Sequence, residues 1–209
     1  YNTSKGALKR GAAKLGKELI GNGSFENIAS DMPTGWSART YGGAAKHRVA
    51  DVAHTGKHSI EISSTKGADT SVHFDLKVDR NSEYELSGWI KTENVVGNGH
   101  GALLSLHALV GKPRSKALKG TNDWTQVKMR FETGSAKSIS INCLFGGWGT
   151  STGKAWWDDV SLRKVEYEII GGGEPEVAEG DVARGKKIFM THPIAACTRC
   201  HVVDGVGGP

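Results

Sequence analysis

At 209 residues, 37% hydrophobic and 23% charged, the chain has the composition of a soluble globular protein, and no apolar run approaches the roughly 20 residues a membrane span needs. The formal net charge of +5 sits mostly at one end: Lys5, Lys9, Arg10, Lys14 and Lys17 against Glu18 leave only +1 for the rest, which excludes a broadly basic nucleic-acid-binding protein. Three cysteines are too few for a disulfide framework.

From Thr3 to Ile20 the apolar residues Leu8, Ala12, Leu15 and Leu19 recur at helical spacing, with Thr3 or Ser4 as an N-cap and Gly21 as a stop. This predicts a basic amphipathic helix over 1–20, the end of a preceding domain. It lacks the continuous apolar centre of a signal peptide. Between residues 21 and 164 the period changes to two. Strands are predicted around Phe25 and at 58–63, 71–78, 84–91, 102–109, 124–131, 138–145 and 155–162. About eight strands without a convincing helix predict a mainly β fold, an antiparallel sandwich of jelly-roll type. Cys143 falls on the apolar phase of Ile139, Ile141 and Phe145, which predicts a buried, inert thiol. Of the neighbours Trp156 and Trp157 one must face inward, and Trp36 and Trp124 are read as core plugs. Residues 165–180, with G-G-G-E-P-E-V-A-E-G at 171–180, predict a flexible linker.

After the linker, D-V-A-R-G-K-K-I-F-M predicts a short helix capped by Asp181, running into C-T-R-C-H at 197–201. Two thiols separated by two residues can reach both vinyl groups of one porphyrin, and the following His can ligate its iron. Cys197 and Cys200 are therefore the expected covalent haem attachments and His201 the axial ligand. A structural zinc site is the alternative, but it needs four ligands and no second close pair follows. The segment 181–209 resembles the start of a class I cytochrome c, in the form found at the C-terminus of large planctomycete and verrucomicrobial proteins. The resemblance implies that Gly185 and Phe189 pack against a last helix that this sequence does not contain, and that haem c carries single electrons to a redox partner. With Tyr1 in place of Met, and Pro209 soon after His201, the sequence reads as a fragment of a longer protein.

The β-region carries G-N-G-S-F-E at 21–26, G-W at 35–36, H-T-G-K-H-S-I at 54–60, Y-E-L-S-G-W-I-K at 84–91 and A-W-W-D-D-V-S-L at 155–162. In that order these pieces resemble the calcium-containing jelly-roll carbohydrate-binding modules. The resemblance implies a structural calcium held by Ser24, Glu26, the carbonyl of Gly56 and Asp158, the alternative being acids that simply face water. Sugar binding uses aromatic faces against pyranose rings. Trp89 on an outer strand face, Trp148 in the loop G-G-W-G-T-S-T-G and Tyr41 in Y-G-G are the candidates, a purely structural role being the alternative at each. Glu61, Asp75, Glu83 and Glu93 show no pairing for glycoside hydrolysis and no other catalytic signature is present.

The expectation is therefore an extracytoplasmic, periplasmic or secreted bacterial chain: a β-sandwich that binds polysaccharide, a linker, and the beginning of an electron-transfer cytochrome, belonging to a larger sugar-oxidising protein. The alternatives are a spacer or interaction sandwich attached to a cytochrome, and an accessory part of a glycoside hydrolase. Neither a nucleic-acid partner nor a membrane span is expected.

Overall fold

The computed structural model describes residues 9–107, 109–170 and Lys187. The chain divides into two compact units. Ala12–Tyr167 carries the β-fold, and the other unit joins Tyr1–Gly11 to Glu168–Pro209. In that second unit the described residues are the outer ends of the first and last strands and Lys187. Residues 165–170, predicted as the start of the linker, instead continue the last strand, which pairs with the first strand in the sheet. The rest of the predicted linker (171–180), the predicted helix after it apart from Lys187, and the haem residues Cys197, Cys200 and His201 lie outside the described residues.

The β-fold is an antiparallel sandwich. In chain order its strands are β1 (Lys9–Glu18), β2 (Ile28–Ala29), β3 (Met32–Pro33), β4 (Ser37–Gly43), β5 (Lys46–Ala50), β6 (Ser59–Lys77), β7 (Glu83–Gly97), β8 (Gly101–Leu106), β9 (Gly120–Glu132), β10 (Ser138–Gly146) and β11 (Ser151–Ile170). Residues 58–63 and 71–78, predicted as separate strands, are one strand that serves both layers. The first half of β6 pairs with β5 and β11, and the second half pairs with β4 and β10. Gly67 lies where the pairing changes, at φ +94°, a conformation glycine adopts without steric cost. One layer thus runs β4-β6-β10-β8 and the other β5-β6-β11-β7-β9, with β1 paired to β11.

Period-two alternation fills the space between the layers. On β7, Tyr84, Leu86 and Ile90 are buried, while Glu85, Ser87, Trp89 and Lys91 are only half-buried on the other face. On β10, Ile139, Ile141, Cys143 and Phe145 join the core. Cys143 is a free thiol whose pKa burial pushes well up, as expected of an inert core cysteine. On β11, Trp157 is fully buried in the core, whereas Trp156 donates its indole N–H to Glu61 Oε2 at 2.9 Å. The register then shifts between Asp158 and Ser161, with Asp159 at φ +47°. This bulge inserts a residue, so that Trp157 and Val160 both reach the core.

Three further sequence expectations are corrected. Residues 9–18 form a strand, not the end of an amphipathic helix. Gly11 and Gly16 each cost a helix about 1 kcal/mol relative to Ala, and β11 offers a hydrogen-bonding edge, which includes Leu19 N–H donating to Leu162 O at 3.0 Å. Phe25 lies in a turn at φ +58° with its ring buried against Trp36, so that position is not a strand. Trp36 is a core plug, but Trp124 is half-exposed on β9 and meets His54 edge-on at 5.9 Å.

The turn at 21–26 packs tightly onto the bulge. Gly23 O accepts Val160 N–H at 2.8 Å, and a Cβ added to Gly23 would lie 1.8 Å from Val160 O. Gly23→Ala is expected to lower Tm by about 5 °C or more in a thermal melt, because backbone on both sides must shift.

Candidate functional site

Alternation that buries Cys143 and Val72 turns the intervening side chains of the β4-β6-β10-β8 layer outward. Cα partners across the sheet are Ser37, His73, Asn142 and Ser105 in one row, and Arg39, Ser71, Leu144 and Leu103 in the next. The first row is entirely polar. Register also shifts between Thr40 and Gly42, and the Tyr41 ring lines a cleft of about 290 Å³ on this face, together with Asp69, His107, Lys112, Leu144, Gly147 and Trp148.

The cleft is ordered by hydrogen bonds. Tyr41 Oη lies 3.1 Å from Ser71 Oγ, 3.0 Å from His107 Nδ1 and 3.3 Å from Asn142 Oδ1. Ser71 Oγ donates to Asn142 Oδ1 at 3.0 Å, and Asn142 Nδ2 donates to Ser140 O at 3.0 Å. The loop carrying Trp148 is fixed by Gly147 N–H donating to Asp69 Oδ1 at 3.0 Å. Trp148 itself, at φ +55° and 48% exposed, stands free enough to offer a ring face. His100 and His107 meet that ring edge-on, and the Arg114 guanidinium carbon lies 5.1 Å from its centroid. Burial, then the charges of Lys112 and Arg39, lower the His107 pKa, so the imidazole is neutral near pH 7 and its Nδ1 is free to bond the Tyr41 hydroxyl. His73 Nδ1, Ser105 Oγ and Ser140 Oγ are buried on this layer without a protein hydrogen-bond partner, the kind of unsatisfied group that calls for an explanation.

Tyr41 and Trp148 are thus brought together, and Trp89 is not. Trp89 lies in the other layer, opposite Asp158, with its ring stacked on His54 at 3.8 Å and 15°. Sequence reasoning missed Ser71, His73, His107 and Asn142. Their signal is the polar phase of S-V-H-F-D and S-I-S-I-N, legible only once the pairing register is known. A larger groove of about 820 Å³ runs past Lys46, Ser63, Lys66, Glu93, Thr152 and Lys154, but no aromatic ring lines it.

Three of the residues expected to hold calcium, Glu26, Gly56 and Asp158, meet at the loop 54–58, whereas no hydrogen bond among the described residues brings Ser24 to it. Glu26 Oε1 accepts Lys57 N–H at 2.8 Å and His58 N–H at 2.9 Å. Asp158 Oδ2 accepts His54 N–H at 2.7 Å and Thr55 N–H at 3.1 Å, and Asp159 bonds His54 Nδ1 and Thr55 Oγ1, each at 2.7 Å. Gly56, between these contacts, is at φ +68°, and an added Cβ would lie 2.4 Å from Glu26 Oε1. The loop's amides hold the Glu26 carboxyl below its usual range, whereas burial raises Asp158 to about 6. Among the described residues no three His, Cys, Asp or Glu side chains surround a common point. A cation here would therefore rest on two carboxylates plus uncharged oxygens. Carboxylates, a carbonyl and a hydroxyl are hard oxygen donors of the kind calcium takes, so the residues are of the right chemical type.

The four acids considered for hydrolysis are dispersed. Glu61 is paired with Arg48 at 2.6 Å, Glu93 with Lys154 at 3.1 Å, Glu83 with the Tyr167 hydroxyl, and Asp75 lies 3.9 Å from His73.

An antiparallel sandwich with an aromatic-walled polar cleft on one layer is the architecture of a glycan-binding module. The model of the family described as "Carbohydrate binding domain" matches residues 17–148, and the chain belongs to that family. No curated protein matches it. The chain is similar to the structure of TmCBM61 in complex with β-1,4-galactotriose (15% identity, 71% of this chain and 99% of that one, TM-score 0.51). It is also similar to the N-terminal CBM22-1-CBM22-2 tandem domain from Paenibacillus barcinonensis Xyn10C (19% identity, 77% of this chain and 49% of that one, TM-score 0.51). At such identities the likeness establishes the fold.

Proposed function

We propose that the domain binds a polysaccharide chain in the cleft between Tyr41 and Trp148, that calcium fastens the loop 54–58 on the other layer, and that C-T-R-C-H carries a covalent haem. The observation that supports the first part is the convergence of two exposed rings, from β4 and from the loop after β10, on one cleft above a polar row. Trp148 stacks on a pyranose face, while Tyr41, held from beneath by the buried Asn142, and His107 meet hydroxyls. β-1,4-Galactotriose is a suitable first ligand, since a solved structure of the same fold is described in complex with it, and xylan is a second neutral glycan to set beside it. Calorimetric titration of the whole chain with each is the test. A folded chain that binds neither these nor any other glycan on an array is a spacer or interaction sandwich instead.

Calcium would be held by Glu26, Asp158, the Gly56 carbonyl and Ser24. It would neutralise the buried Asp158 and join the 21–26 turn to β11. Trp89 then serves as the floor on which His54 of that loop stacks.

The haem rests on the sequence of Cys197, Cys200 and His201. Once attached it supplies one-electron chemistry, and attachment places the protein outside the bacterial cytoplasm, as part of a larger sugar-oxidising protein. Expressed with a periplasmic haem-attachment system and then denatured, the chain is expected to retain a pyridine haemochrome spectrum that Cys197→Ala/Cys200→Ala abolishes. A colourless wild type overturns this part alone and directs the Cys pair to a zinc assay.

A further inference from the structure

The glycan cleft is bordered by three cations that form no ion pair among the described residues. Arg39 leaves β4 on the cleft side, with Nη2 at 3.1 Å from His73 Nε2. Lys112 lines the cleft, and Arg114 lies over the Trp148 ring. All three are exposed, and none forms an ion pair with a described residue. The contrast with Arg48, Arg130 and Arg163 is direct: each of those is within 3.3 Å of a carboxylate oxygen. Two acids do belong to the cleft layer. Asp69 lines the cleft and accepts Gly147 N–H while keeping its charge, and Asp75, 65% exposed, faces His73, so the three cations outnumber the acids on this layer. Burial chiefly lowers the His107 pKa, and the charges of Lys112 and Arg39 lower it further while Asp69 opposes them, so two cations from different elements act on one imidazole.

We propose that the cleft takes an anionic polysaccharide, one bearing carboxylate or sulfate groups, and that Arg39, Lys112 and Arg114 bind its charges. The inference rests on the reading of this cleft as the glycan site. A neutral sugar gives three unpaired cations nothing to neutralise, whereas like charges around a walled cleft concentrate anions. A guanidinium lying over an indole keeps its edge N–H groups for two parallel bonds to a carboxylate or sulfate. The sugar ring and its substituent are then read side by side, by Trp148 and by Arg114.

The test is calorimetric titration of the whole chain with polygalacturonate, a carrageenan, neutral xylan and galactan, and a single-stranded oligonucleotide. One of the two anionic glycans is expected to bind about tenfold or more tighter than the neutral ones at low salt. That preference should shrink at about 0.3 M salt, where screening is short-ranged. Which of the two binds distinguishes carboxylate from sulfate. In Arg39→Gln/Lys112→Gln/Arg114→Gln, checked for an unchanged melt, the ratio of anionic to neutral affinity should fall toward one. Neutral glycans binding as tightly as charged ones, or a ratio the triple variant leaves intact, overturns the proposal while glycan binding stands. No glycan binding by a folded chain overturns both, and an oligonucleotide that binds as tightly as the anionic glycan replaces the ligand class.

Discussion

Trp148→Ala is expected to weaken glycan binding about tenfold or more without lowering Tm, whereas Trp89→Ala should leave binding unchanged and lower Tm by several degrees. The two tryptophans look alike in sequence, and their surroundings set them apart. Trp148 is 48% exposed on a loop whose position depends on the backbone contact between Gly147 and Asp69, so truncating the ring removes little packing. A ring stacked on a pyranose contributes on the order of 1–2 kcal/mol, which is about tenfold in affinity. Trp89 is covered by His54, and its loss uncouples the loop 54–58 from β7. Calorimetry and a melt on each variant check both statements. Weakened binding in Trp89→Ala with full stability would move the glycan site to the other layer.

Without calcium, the difference in stability between the wild type and Asp158→Asn should change with pH, and calcium should suppress that change. Asp158 is raised from 3.8 to about 6 by burial, so the folded state binds its proton more tightly than the unfolded state. Stability from this group therefore falls as pH rises from about 4 to 6, by up to about 3 kcal/mol, and the cost is fully present above that window. His47, His73 and His107 have lowered pKa values and act in the opposite sense, since they favour the folded state as pH rises toward and beyond their unfolded value of 6.5. Only the comparison with Asp158→Asn isolates the aspartate. Melts in EGTA at pH 4.5 and 7 should show the wild type losing ground to the variant, and saturating calcium should restore it, because a cation replaces the proton. Equal pH dependence in both proteins would mean that folding leaves the Asp158 pKa at its unfolded value.

Much of the fold is legible because a half-buried strand leaves its phase in the sequence. Y-E-L-S-G-W-I-K places Leu86 in the core and Trp89 outside, and β7 obeys that rule from Glu83 to Thr92, whereas β10 is buried on both faces from Ile141 onward. The rule is silent where neither face is buried: β4 is exposed along most of its length and leaves no alternation to read. It misleads at the N-terminus, where apolar spacing suggests a helix and the pairing edge of β11 decides otherwise. Tyr41 and Trp148 could be singled out because rings beside glycine pairs have little core to fill, although Tyr41 belongs to β4 and only Trp148 to a loop. The rest of the cleft depends on which residues of β4, β6, β10 and β8 stand abreast, and pairing over such long separations is not written in any one segment. For the loop 54–58 the sequence indicates the acids but not the stacking of His54 on Trp89, which joins distant parts of the chain.

The neighbouring course of β1 and β11 bears on how such a domain travels between proteins. Leu19 meets Leu162, while Gly16 lies beside Lys164 O and Glu166, so the strands run antiparallel and the chain enters and leaves the sandwich side by side. A domain whose two ends meet can be spliced into a surface loop of a host protein without prising the host apart. Joining the ends through a short linker and reopening the chain at an exposed turn should likewise yield a circular permutant with its cleft intact.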